Sequence, residues 1–156
     1  MELTVAGHKV FAATGGRPFD PDQPSAILLH GAGMDRTVWS LQARYFAHHG
    51  RSVAAVDLPG HGRSEGALLT SVDAMADWIA DVIDALGVEK VALAGHSMGG
   101  FAVLAAAARA PEKVRGLALL GIGATFAVHP ELLAAAKAND GLAYHLVTSW
   151  GFGTAG

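Results

Sequence analysis

Gly95-His96-Ser97-Met98-Gly99 is a G-x-S-x-G run whose serine lies between a short apolar stretch and an alanine-rich one. A serine hydroxyl is a weak nucleophile and attacks an acyl carbon only with a histidine base in hydrogen-bond reach. The setting raises this run above a chance match. Lys90-Val91-Ala92-Leu93-Ala94 reads as a buried strand, and Gly99 to Ala110 reads as a helix. A serine at such a junction sits on a sharp, strained turn that pushes its hydroxyl out at the carboxyl edge of a sheet. Glycine is required on either side because a Cβ would strike the neighbouring strand or helix. The Met98 amide, at the helix start, has no intrahelical partner, and the helix dipole there favours an anion. Ser97 and the Met98 N–H thus read as nucleophile and oxyanion donor. The plainer alternative is a serine that merely tolerates the turn.

The elements that must position this serine alternate. Leu3–Val5 and Lys9–Ala13 read as a hairpin around Ala6-Gly7-His8. Gly15 to Pro24 is a loop rich in proline and aspartate. Ala26–Leu29 is a short apolar run ending in His30-Gly31-Ala32-Gly33. Val38 to His49 fits a helix closed by Gly50, and Ser52–Val56 a strand followed by the turn-rich Asp57-Leu58-Pro59-Gly60-His61-Gly62-Arg63-Ser64. Val72, Met75, Ile79, Val82 and Leu86 make one helical stripe, with Asp73, Asp77, Asp81 and Asp84 on the other side. Thr70 and Asp73 resemble a capping box, and Gly87 ends the helix. Strands follow at Val88–Ala94 and Val114–Leu120, then helical pieces at Pro130–Ala138 and Tyr144–Trp150. Strands alternating with helices of this length predict an α/β fold with a mostly parallel sheet and flanking helices.

Composition narrows the function. Hydrophobic residues are 51% and charged residues 16% of the 156, which suits strands buried on both faces. A net charge of −3 gives no support to nucleic-acid or anionic-membrane partners. There is no apolar run of about 18 residues for a membrane span. No basic region precedes an apolar stretch at the N-terminus, as a signal peptide would require. With no cysteine, disulfides and thiolate chemistry are excluded, and a cytoplasmic location is the default expectation. No ligand cluster implies a metal or cofactor. Nothing in the chain speaks to oligomeric state.

Three motifs, each at a strand end, agree in order and spacing: His30-Gly31-Ala32-Gly33, Asp57 to Ser64, and Gly95 to Gly100. With them the chain resembles the amino-terminal portion of an α/β-hydrolase-fold protein. The resemblance implies a core over residues 1–122 and the start of a helical cap or lid over 123–156. It also implies that the chain stops before the last strands and C-terminal helix. The implied reaction is hydrolysis of an ester or related acyl substrate, a small molecule. The resemblance places the second oxyanion donor at the Ala32 N–H. It puts Gly31 and Gly33 beside the substrate, although turn chemistry alone would also account for both glycines. His30 is usual before that glycine in the family and is not the triad base.

The triad order in this fold is Ser, then Asp or Glu, then His. After Ser97 the carboxylates are Glu112, Glu131 and Asp140, and the histidines are His129 and His145. Neither histidine follows a strand that would set it at the sheet edge, so the triad acid and histidine are expected to be missing. His96 should point from the turn into the scaffold. Asp57 and His61 read more simply as a turn in which Asp57 holds backbone amides. Phe126 and the nearby aromatics Tyr144, Trp150 and Phe152 could line an acyl pocket, and Phe101 reads as core. The isolated chain is expected to be nearly inactive and poorly soluble, with a sheet edge uncovered. Two alternatives stay open: a non-catalytic small-molecule binder, and acyl transfer to another acceptor, including perhydrolase chemistry of the haloperoxidase type.

Overall fold

The structure is a computed structural model and describes residues 1–125 and 127–151. Phe126 and Phe152, named above as pocket candidates, lie outside the described residues. The chain forms two compact units, Met1–Ile122 and Gly123–Gly156.

The first unit holds a six-stranded sheet in the order β1-β2-β4-β3-β5-β6. Strands β1 (Glu2–Val5) and β2 (His8–Ala13) form the hairpin, turning at Ala6 and Gly7, both at positive φ. Two consecutive positive φ values suit the right-handed twist of paired strands. Strand β2 runs antiparallel to β4 (Ser52–Val56). The remaining pairs, β4 with β3 (Ser25–Leu29), β3 with β5 (Val91–His96), and β5 with β6 (Val114–Leu120), are parallel. Helices α2 (Val72–Ala85) and α3 (Met98–Arg109) pack on each other, and α3 lies against β5. Helix α1 (Ser40–His48) lies against β4, with Leu28, Trp39, Ala43, Ala47, Val53 and Ala55 as its core.

The structure corrects several local expectations. The first turn of the helix predicted from Val38 is a 3-10 turn, Arg36–Trp39, capped by the Asp35 carboxylate on the Thr37 amide. The cap of α2 is Ser71, one residue beyond Thr70. Ser71 is extended, and its Oγ accepts the Ala74 N–H at 3.1 Å. Strand β5 begins at Val91 because the exposed Glu89 and Lys90 precede its first partners, Ser25 and Val114. Trp78 and Ile83 join the α2 stripe in the core, whereas Val72 stays exposed.

In the second unit α4 (Pro130–Lys137) packs on α5 (Leu142–Gly151), burying Ala135 and Leu146. Among the described residues no helix is long and apolar enough to cross a membrane.

Candidate active site

Strand β5 runs into α3 through one residue, Ser97, at φ 51° and ψ −118°. A non-glycine residue there is strained by roughly 1–3 kcal/mol and persists only where its surroundings over-determine it. Those surroundings are visible. The Ser97 N–H donates to Leu120 O at 2.8 Å, and Ser97 O accepts from Gly100 N at 2.8 Å and Phe101 N at 3.3 Å. A Cβ on Gly95 would lie 2.2 Å from Gly99 O. One on Gly99 would lie 2.5 Å from His30 O and 2.7 Å from Leu29 O. The start of α3 is therefore seated directly on the end of β3, and only glycine permits it.

The loop after β3 lies alongside. Met34 N–H donates to Gly31 O at 3.3 Å, closing a turn with Gly33 at φ 68°. Gly31 is buried, and a Cβ there would lie 3.0 Å from His96 Nδ1; Ala32 and Gly33 are exposed. The Ala32 and Met98 amides donate to no other described residue. Ser97 is half-buried.

His30 is fully buried, and both ring nitrogens are in use. Leu58 N–H donates to Nε2 at 3.1 Å, and Nδ1 lies 2.8 Å from Gly31 O. Burial, first, holds its pKa below the usual 6.5, and His61 pushes the same way; the Gly31 bond and the Asp57 and Asp35 charges oppose it. His30 is thus not available as a base for Ser97. His96 packs its ring against Gly31 and Gly121.

The loop after β4 is organised by Asp57, which is fully buried. Its Oδ1 accepts from Arg36 N at 2.8 Å, and its Oδ2 from Arg36 Nη1 at 2.6 Å and Arg63 N at 2.9 Å. No Cβ fits at Gly62, where it would lie 2.3 Å from the Asp57 carboxylate. Asp57 thereby joins the loops after β3 and β4, as its reading as a structural turn residue anticipated. His61 rests its Nδ1 3.1 Å from Pro59 O and its ring 5.0 Å from that of His30. Sequence reasoning missed Arg36. The available signal was Asp57 itself, since a carboxylate directly after a buried strand needs a cation. Both Arg36 and Arg63 also lie over the Phe11 ring, at 4.5 and 3.8 Å.

The later candidates are engaged within their own surroundings. His129 caps α4, its Nδ1 accepting from Glu131 N at 3.3 Å, and meets Trp150 edge-on. His145 accepts a hydrogen bond from Ser149 Oγ onto its carbonyl at 2.7 Å. Asp140 accepts from Leu142 N at 2.9 Å, and Glu112 is exposed in a 3-10 turn. Within Met1–Ile122, no histidine among the described residues is hydrogen-bonded to Ser97 Oγ.

Residues 24–145 match the family described as alpha/beta hydrolase fold. The chain belongs to that family. Over 102 residues it is 40% identical to a 2-hydroxy-6-oxononadienedioate/2-hydroxy-6-oxononatrienedioate hydrolase of Burkholderia vietnamiensis, covering 62% of this chain and 35% of the relative. Over 115 residues it is 35% identical to carboxylesterase YbfK of Bacillus subtilis, covering 71% of this chain and 38% of the relative. The crystal structure of the Bacillus subtilis carboxylesterase CesB (YbfK) superposes with a TM-score of 0.71 at 27% identity, covering 88% of this chain and 48% of that one. The chain thus spans little more than a third of the length of these two curated relatives. The mostly parallel sheet with flanking helices is that of the α/β-hydrolase fold.

Proposed function

We propose that Ser97 is the nucleophile of a serine hydrolase acting on an ester or related acyl substrate, a small molecule. The Ala32 and Met98 amides are the oxyanion hole, with Gly31 and Gly33 shaping the turn beside the substrate. The observation that carries this reading is the strained φ of 51° at Ser97, held between a strand end and a helix start. Ser97 Oγ attacks the acyl carbon as its hydroxyl proton passes to solvent water, since no histidine of Met1–Ile122 is hydrogen-bonded to it. The carbonyl oxygen becomes an oxyanion facing two free amides, each worth roughly 3–4 kcal/mol of barrier. The alcohol departs, and water then releases the acyl group. The residues from Gly123 onward are the start of a helical cap. With no histidine of Met1–Ile122 hydrogen-bonded to Ser97 Oγ, the reading carries the expectation of slow turnover by that unit.

With solvent as the base, acylation and deacylation are both slow, so the acyl-enzyme is sought with an activated ester whose leaving group departs without protonation. On incubation with p-nitrophenyl acetate, peptide mass spectrometry is expected to find an acetyl group on Ser97, with p-nitrophenolate released. Ser97→Ala removes that adduct. Ala32→Pro deletes one N–H at a turn position that accepts proline, and it slows acetylation about 100- to 1000-fold. Acetylation of Ser97 no faster than that of an exposed serine, or indifferent to Ala32→Pro, overturns the reading.

A further inference from the structure

We propose that His30 is a positioning residue whose Nδ1–H tautomer clamps the Gly31–Ala32 peptide unit and so aims the Ala32 N–H. This rests on the reading of Ala32 as an oxyanion donor. Gly31 O and Ala32 N belong to one planar amide, and in a trans amide the N–H points opposite the carbonyl. Gly31 O is held at two points, His30 Nδ1 at 2.8 Å and Met34 N at 3.3 Å. Fixing that oxygen fixes the direction of the Ala32 N–H, which no other described residue uses.

The tautomer follows from the other side of the ring. A backbone N–H only donates, so the Leu58 N–H at 3.1 Å requires an unprotonated Nε2. The single proton of the neutral ring is then on Nδ1, where it donates to Gly31 O. A space-filling histidine would need no particular tautomer. This one is specified by an amide from the loop after β4 and spent on a carbonyl in the loop after β3.

Protonating Nε2 would set two donors face to face and orphan the Leu58 N–H in a buried site. The charged groups around the ring are His61, which opposes a second positive charge, Asp57 and Asp35, which favour it, and Arg36, which is engaged with Asp57. His96 borders Gly31 from β5. Burial outweighs the acids, so the folded pKa lies below 6.5. The neutral ring's contribution to stability is therefore complete above pH 6.5 and is lost as pH falls from there toward the folded value. The site thus carries an acid limb of its own, separate from any triad histidine.

Nitrogen-15 NMR of the full chain tests this. Above pH 6.5 the His30 ring is expected in the Nδ1–H form, with Nε2 unprotonated. On acidification the Ala32 and Leu58 amide signals move with the His30 midpoint. In His30→Asn a side-chain amide takes the place of Nδ1 and can still donate to Gly31 O. That variant is expected to keep the Ala32 signal near its original position while losing its pH response. An Nε2–H ring, an Ala32 signal that ignores the His30 titration, or an unchanged response in His30→Asn overturns the proposal. If His30→Asn does not fold, the tautomer and the titration of the unaltered chain decide. Failure of Ser97 to acetylate sinks the nucleophile reading alone, because the amide response is read without any reaction.

Discussion

Strands β4 and β6 are both apolar runs in a largely parallel sheet, and they meet opposite fates. Every residue of β4, Ser52–Val56, is buried between β2 and β3 and beneath α1. Among the described residues strand β6 pairs only with β5, and Leu117, Leu119 and Leu120 remain about two-fifths exposed (39%, 41% and 41%). The candidate site belongs almost wholly to the closed side. Loops after β3, β4 and β5 interlock there through His30, Asp57 and the seating of Gly99, whereas β6 supplies one carbonyl, Leu120 O, to Ser97. The contrast teaches that the site's geometry is stabilised by bonds between loops rather than by the width of the sheet.

The strongest way to break this contrast is Asp57→Ala. It strands a 17%-exposed Arg36 guanidinium without its carboxylate and frees two loop amides. A loss of about 3–5 kcal/mol is expected in urea unfolding. A loss below about 1 kcal/mol would show that the closed side does not depend on its buried ion pair.

A paired glycine substitution sharpens the contrast. Gly95→Ala drives a Cβ to 2.2 Å from backbone and should cost about 3 kcal/mol. Gly116→Ala, on β6, meets nothing within 4 Å, so it should be neutral or stabilise by about 0.5–1 kcal/mol. Thermal melts of both variants compare them directly, and equal losses would erase the distinction between the two sides.

The smallest effect on stability is expected from Leu119→Lys, within about 0.5 kcal/mol. Its effect on self-association is larger, because a charge on an open edge strand discourages pairing with another chain. Analytical ultracentrifugation over a concentration series checks this, with any oligomer of the unaltered chain expected to be reduced in Leu119→Lys. An unchanged distribution would mean the exposed β6 face is not what drives association.

Much of the fold was legible because its signals are local. Alternating strands and helices, the α2 stripe and three strand-end motifs needed only periodicity and turn chemistry. What was not legible depended on neighbours. The runs Ser52–Val56 and Val114–Leu120 look alike until one knows which strand has a partner on each side. The cap of α2 shifted from Thr70 to Ser71 because side-chain reach, not residue type, selects it. At the site, the Ser97 turn could be read from its glycines. The Arg36–Asp57 pair and the tautomer of His30 could not, since each joins residues 21 to 28 positions apart.

The backbone at Ser97 also bears on how this chain has been selected. Glycine would occupy φ 51° without strain, and serine does not. Selection for persistence alone would therefore favour glycine at position 97, as a drift toward lower energy at a site that every copy must fold. The hydroxyl marks a second demand on the same residue. This turn is where a thermostabilising library and a reactivity screen would pull the sequence in opposite directions.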